Sequence, residues 1–432
     1  MLSDTQQAID NSDKARRLDT DGSNDNSVAA KKPRNISPEL ANLCEIDASV
    51  VKGSKISQAL RMATNSAADE PMGTASIASC MALVLGLIST DKVKAKLLSY
   101  LGLKNVEELL SLKDPCRALS ALLSPDAKKA LSQSPHGPLC HQLWEGLGAE
   151  CIPLEACLEN QVNEMLKKVW ETDENIFKPY QIVPADKVKD LIAALVSMEK
   201  IKVSWTQEFK TYHKDTFTTS SGEKVPAQFC VDSEARSMKS LYFGGARAVL
   251  LPCKPDEKTG KERGMIFVLP SEDDQDLDKC LEALAEHADE KGRGLVFSGG
   301  AKYLFSFPAF DAKKDPDTIK DWLSKAVPEI FDETAECMED TLPASIVGGI
   351  AYVGDVHHGA MIKADRKGAE AKAVTIATVQ IYRSIGSAPE VFRCNRPFIS
   401  ILATLNSDKS GVETIEFVTK HETAKTLDLE VS

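Results

Sequence analysis

The chain has 432 residues, enough to bury a large core, and its length suits two or three domains or one large mixed unit. Acidic residues outnumber basic ones by 64 to 52 and the isoelectric point is near 5.3, which argues against a general nucleic-acid or acidic-membrane surface and leaves proteins and small molecules as partners. Eleven cysteines form an odd count with no CxxC pair and no zinc-like spacing, and neither a secretory h-region nor an apolar run of membrane-spanning length occurs. Free thiols in a reducing compartment are therefore expected, in a soluble cytoplasmic protein.

Residues 1 to about 36 are rich in Asp, Ser, Asn, Lys and Arg and nearly free of large apolar groups, so they cannot offset the entropy of ordering and are expected to be disordered. Lys14-Ala15-Arg16-Arg17 and Lys31-Lys32-Pro33-Arg34 flank a flexible spacer, as in a bipartite nuclear import signal or a solvated tail with chance charge clusters. The pattern then turns helical over Val51 to Met62, Ile77 to Ile88, Lys92 to Leu101, Val106 to Leu112, Cys116 to Leu123 and Leu158 to Val169. Ile77, Met81, Val84, Leu85 and Ile88 share a face while apolar neighbours occupy the others, so that helix is expected inside the core. After Ala185 the runs become short, β-rich and bounded by turn residues: Ala246 to Leu251, Met265 to Leu269, Tyr303 to Phe307, Ala360 to Ala364 and Phe398 to Leu405. Helices return at Asp276 to Ala288 and Asp317 to Val327. A helical first third before a strand-rich remainder predicts an α+β fold, with antiparallel sheets covered by helices. With no internal repeat and no Pro/Gly-rich linker after residue 40, one folded domain is expected.

Gly368 to Phe398 carries the most unusual pattern. Ala369, Ala371, Ala373, Thr375, Ala377, Val379 and Ile381 make a small or apolar face, with Glu370, Lys372, Thr378 and Gln380 opposite, which is a strand with one side meant for a core. It runs straight into Tyr382-Arg383-Ser384-Ile385-Gly386-Ser387, a polar, turn-prone segment holding a basic residue of the kind trypsin-like proteases cleave after. A core strand and an exposed bait are joined end to end.

Motifs for enzymatic chemistry fail one after another: there is no G-x-S-x-G, Walker A, dinucleotide GxGxxG or HExxH. His357-His358 lacks a carboxylate or Cys at ligand spacing, and a buried, hydrogen-bonded histidine is the expectation there. No metal, cofactor or catalytic residue is assigned.

Trp205 to Phe209, Asp215 to Phe217, Val225-Pro226, Gly264 to Pro270, Phe305 to Phe310, His358 to Ile362 and Asn395 to Phe398, taken in that order, resemble the serpin family, over roughly residues 45 to 420. Trp205-Thr206-Gln207-Glu208-Phe209 with Asp215-Thr216-Phe217 and Val225-Pro226 is similar to its W-x-x-x-F…T-x-x-F…V-P run. Gly264 to Pro270 resembles its buried strand ending in L-P, and Phe305-Ser306-Phe307-Pro308-Ala309-Phe310 its l-P-k-F strand. His358-Gly359-Ala360-Met361-Ile362, then Asp365 to Ala371, then Asn395-Arg396-Pro397-Phe398 resemble its hinge, reactive loop and closing N-x-P-F. Order and spacing are shared across all of them.

The resemblance implies a serpin fold of intracellular type, with helices packed on three mainly antiparallel sheets and an exposed reactive-centre loop. Residues 41–432 would form the domain after a tail at 1–40, with the loop at about 366–392. It implies a non-enzyme that inhibits by trapping: a protease acylates the loop, the hinge inserts into the main sheet as an extra strand, and a covalent 1:1 complex remains. Inserted side chains that face the interior must then be small and uncharged, as Ala369, Ala371, Ala373 and Thr375 are in the hinge that begins at Gly368. Counting forward from Gly368 puts the primary-specificity residue at Tyr382, before Arg383. Counting back from Pro397-Phe398 over an antithrombin-like loop length puts it at Arg383, before Ser384, and this register is preferred because Arg-Ser is a common bait and Gly386 and Ser387 lend mobility. The partner would be a trypsin-like serine protease or an Arg-preferring cysteine protease, met by a monomer, with no nucleic acid or membrane. By the same resemblance Trp205 is the breach tryptophan, and His358 with Ser76 the shutter. Arg366 replaces the usual hinge glutamate, Gly73 to Ile77 the usual S-P-x-S-I, and Ser197 the shutter asparagine. These departures keep open a non-inhibitory carrier, chaperone or nuclear binder.

Overall fold

The computed structural model describes residues 37–43, 51, 53–171, 173–232, 234–257, 259–290, 294–369 and 389–423. The chain divides into Met1–Ser37 and Pro38–Ser432, and the elements below belong to the second unit.

In chain order they begin with α1 (Pro38–Leu43), α2 (Lys55–Ala63), β1 (Met72–Gly73), α3 (Thr74–Leu87), α4 (Asp91–Leu101), α5 (Val106–Leu110), β2 (Arg117–Leu123), α6 (Pro125–Gln133), α7 (Gly137–Leu147), β3 (Glu150–Pro153) and α8 (Leu158–Trp170). Then follow β4 (Ala193–Glu199), β5 (Val203–Ser204), β6 (Thr211–Thr218), β7 (Lys224–Val231), β8 (Arg236–Phe243), β9 (Ala246–Pro252), β10 (Arg263–Leu269), α9 (Leu277–Glu290), β11 (Ser298–Pro308) and β12 (Phe310–Thr318). The last are α10 (Lys320–Ala326), α11 (Ala344–Val347), β13 (His357–Ala364), β14 (Gly368–Ala369), β15 (Glu390–Arg393), β16 (Phe398–Leu405) and β17 (Val412–His421).

The expected α+β class is what is found. One ten-stranded sheet has the order β1-β17-β16-β10-β9-β8-β11-β7-β6, antiparallel except for β15, which lies parallel to β11. Its middle is buried on both faces. Along β10, Met265, Phe267 and Leu269 enter one core cluster while Ile266 and Val268 enter the other, with α2 and α9 on that second side. Strands covered on both faces read as unbroken apolar runs, which is why β10 and β16 were visible in the sequence.

Cys116 to Leu123 is a correction: the helix expected there is the strand β2. A short apolar run has no period that separates helix from strand, and pairing with β4 over seven residues, from Arg117↔Glu199 to Leu123↔Ala193, decides it. With β3 this makes a three-stranded sheet, β3-β2-β4. Leu158, Val162 and Leu166 of α8 pack on its Leu122 and Met198. From the other side comes α3, buried at every position except Ser76 and Cys80. Those two stand one turn apart, facing β4.

The strands β12 and β13 form a sheet of their own. Its Phe310, Ala312, Ala360, Ile362 and Ala364 belong to the same core cluster as Phe267 and Phe398 of the ten-stranded sheet.

Candidate functional site

Among the described residues β4 and β13 share no backbone hydrogen bond; the ladder between their two sheets is the two-residue pair β5–β14. Since β4 leads into β5 and β13 towards β14, two strand edges with unused N–H and C=O groups flank a slot that is closed at one end. Such edges are a template for another strand.

The closed end is built from residues 365–369, which include Gly368 and Ala369 of the expected hinge. After β13 the chain turns at Asp365: its N–H donates to the Gly368 carbonyl (2.9 Å), and its Oδ1 accepts from the N–H groups of Lys367 (2.7 Å) and Gly368 (3.1 Å). Gly368 and Ala369 then run antiparallel to β5, opposite Ser204 and Val203. A Cβ on Gly368 would stand 2.3 Å from the Val203 carbonyl oxygen and 2.8 Å from Ser204 Cα, so only glycine fits this approach.

Trp205, fully buried, holds the turn from beneath: its indole N–H donates to the Asp365 carbonyl (2.8 Å) and its backbone N–H to that of Lys367 (3.1 Å). Arg366 accepts the Phe209 N–H at its carbonyl (2.8 Å). Phe209 is itself covered by the Arg236 guanidinium, 3.8 Å above its ring, while Arg236 donates to the carbonyls of Gln207 (2.5 Å) and Glu208 (2.9 Å). Around Trp205, Phe307 stands edge-on at 6.2 Å.

Further down the slot lie His358 and Ser76. His358 Nε2 accepts the Gly73 N–H at 3.1 Å, and burial, helped by Lys314, lowers its pKa to about 4, so the ring is neutral. The Ser76 hydroxyl bonds not with His358 but with the Ser197 hydroxyl of β4, at 3.0 Å. Gly73 joins the two, since a Cβ there would lie 3.2 Å from the His358 ring and 3.7 Å from Ser76 Cβ. Thus the sequence-assigned Gly368, Ala369, Trp205, His358 and Ser76 fall along one slot.

Residues 370–388 lie outside the described residues, and with them Ala371, Ala373, Thr375, Tyr382, Arg383 and Ser384. The chain returns as β15, held by Arg247, which donates to the Val391 carbonyl (2.8 Å), and by Tyr242, whose hydroxyl donates to Glu390 (3.1 Å). An Arg393–Asp215 ion pair adds to this anchorage.

Sequence reasoning passed over Arg117, Glu199 and Glu416, a buried charged group that meets behind the slot. The signal was present as Arg117 at the head of the apolar run to Leu123 and as Glu416 between Ile415 and Phe417. With β2 read as a helix, nothing placed Arg117 opposite Glu199.

A family model described as "Serpin (serine protease inhibitor)" matches residues 156–410. Serine protease inhibitor 88Ea of Drosophila melanogaster is 28% identical over 268 residues, covering 56% of this chain and 57% of that one. The chain spans about half the length of the curated relatives it matches. Among solved structures, Arabidopsis AtSerpin1 in its native stressed conformation gives a TM-score of 0.64 at 14% identity, over 89% of this chain and 98% of that one. Human thyroxine-binding globulin gives 0.62 at 13%, over 88% and 98%. A fold with these sheets, matched over nearly the whole length of solved serpins, and a family model covering more than half the sequence lead to one conclusion: the chain belongs to the serpin family.

Proposed function

We propose that this chain is a protease inhibitor that traps its target by loop cleavage and insertion of the hinge between β4 and β13. The observation that carries the reading is the hinge itself. Gly368 and Ala369 have already turned back and lie antiparallel to β5, the direction an entering strand must take. If an inserted strand continued that register one residue for one, Ala371 would come opposite Ile201, Ala373 opposite Glu199 and Thr375 opposite Ser197, the residue bonded to Ser76. The small face of the loop would then meet the inner side of the slot, while Glu370 and Lys372 would stay outside, beside Lys202 and Lys200. An inserted strand would pair the free edges of both neighbours, a gain large enough to drive the step.

In this mechanism the protease attacks the bond after Arg383, or in the other register the bond after Tyr382, and forms an acyl-enzyme with the loop. Insertion then carries the attached protease away before water completes hydrolysis, leaving a covalent 1:1 complex. Arg383 fits a trypsin-like serine protease or an Arg-preferring cysteine protease. The thiol-rich composition and the two basic clusters of the tail support a cytoplasmic monomer with access to the nucleus.

Incubation with a panel of such proteases, followed by denaturing electrophoresis and mass mapping of the cleaved loop, tests this. A denaturant-stable complex with the cut at Arg383–Ser384 is expected; turnover to cleaved protein with no complex contradicts it. A second reading, a non-inhibitory carrier, draws on Arg366 at the hinge and on the likeness to thyroxine-binding globulin. Cleavage without complex and without stabilisation would select it.

A further inference from the structure

A slot that admits a strand must widen by about 4.8 Å, the spacing of neighbouring strands. β2 and β4 are laddered along their whole length and carry β3 with them, whereas β12–β13 share a core cluster with the ten-stranded sheet. The three-stranded sheet is therefore the part that moves, and any tie between it and the ten-stranded sheet resists the motion.

Arg117 makes such a tie. From β2, its Nη2 donates to Glu199 Oε1 on β4 (2.5 Å) and to Glu416 Oε2 on β17 (2.8 Å), while Nη1 donates to Ser79 Oγ of α3 (3.0 Å) and to the Leu112 carbonyl (2.6 Å). Thr404 Oγ1 of β16 donates to the other Glu416 oxygen (2.7 Å). All three charged side chains are 2% exposed, and Glu199 Oε2 and Arg117 Nε are buried without a partner. The remaining charged groups acting on the three are Asp114 ahead of β2, Arg263 of β10 and Lys55 of α2. α8 contributes the Trp170 indole, bonded to the Glu199 backbone carbonyl (3.1 Å).

One guanidinium thus serves two carboxylates in a dry site, and the two belong to different sheets. We propose that Arg117 is a latch on slot opening: held by Glu416 it ties the three-stranded sheet to the ten-stranded one, and handed over to Glu199 it lets them part. The idea rests on the insertion reading above. Glu199 can serve as the travelling counter-ion only when ionised, because a buried cation separated from its anion is costly. Burial, opposed by Arg117 and reinforced by Glu416, raises the Glu199 carboxyl to about 8. The latch is therefore closed near neutrality and released as pH rises past that value. Glu416, left behind, keeps the Thr404 hydroxyl and the fields of Arg263 and Lys55.

The test uses the full chain and no protease. A fluorescent peptide with the sequence of residues 369–382 is offered as the missing strand, and its rate of incorporation is followed from pH 6.5 to 9. The wild type is expected to speed up by about tenfold across this range, equivalent to about 1.4 kcal/mol of barrier. Glu199→Gln should stay slow and flat, and Glu416→Gln fast and flat. Arg117→Lys, which keeps the charge but loses the two-handed reach, should resemble Glu416→Gln and stands in for it if that variant does not fold. A wild-type rate independent of pH, matched by the variants, overturns the latch while leaving insertion intact. No incorporation in any protein at any pH overturns the insertion reading and the latch together.

Discussion

Gly368 and His358 show how single groups set the condition of the slot. Replacing Gly368 by Val would place a Cβ 2.3 Å from the Val203 carbonyl oxygen, so the hinge must leave β5. The lost pairing and local strain should cost about 1–3 kcal/mol of stability, read by denaturant unfolding; an unchanged midpoint would mean that the β5–β14 pair contributes nothing. His358 acts through its proton. Its pKa falls from 6.5 unfolded to about 4 folded because burial disfavours the charged ring, so the folded state resists protonation. Stability is then complete above pH 6.5 and lost as pH falls through the window down to about 4, by about 3 kcal/mol in all. Unfolding measured at steps from pH 7.5 to 4 should show that slope added to a comparable one from His421, whose pKa burial lowers to about 3, and His358→Gln should reduce the total by about half. An identical slope in the variant would place the acid sensitivity elsewhere.

The elements that matter are two edges and the hinge that lies between them. Thr375 would face Ser197 and the buried side of the slot if the register of Gly368 and Ala369 continues, so Thr375→Arg would carry an unpaired charge into that interior. The variant is expected to be cleaved at the wild-type rate but to give free protease in place of the complex, seen on a denaturing gel; full inhibition by it would rule out insertion as far as Thr375. Much of this was legible in the sequence, because the constraint is local. The residues from Trp205 to Phe209 mark the mouth, while the period-two alternation that begins at Ala369 falls almost wholly outside the described residues. Less legible were β2, a short, mostly apolar run fixed as strand by its pairing with β4 and β3, and β12, whose Phe310-Asp311-Ala312-Lys313-Lys314 buries one side while showing charge on the other. The slot itself is an absence of pairing, and no pattern within one strand encodes what its neighbour leaves undone. The pairing of Ser76 with Ser197, in place of His358, likewise depends on how α3 is turned against β4.

On the scale of the whole molecule, the ten-stranded sheet is a two-faced core and the three-stranded sheet a smaller body packed under α8 and against α3. The first supplies a rigid frame with the loop anchored to it at β15. The second is joined towards β13 by a single two-residue pair, β5–β14, and to the ten-stranded sheet by ion pairs such as Arg117–Glu416, so under the proposed insertion it is the part expected to shift. Among the described residues β4 and β13 leave their facing edges unpaired, and if the proposal holds, cutting the chain within residues 370–388 should let its alternating segment fill the gap. The direct measurement is the thermal unfolding midpoint before and after a single cut within residues 370–388. The account predicts a rise of at least roughly 10 °C, several kcal/mol for a domain of this size class, as the freed hinge pairs with both edges. A midpoint that stays the same or falls after cleavage would contradict it.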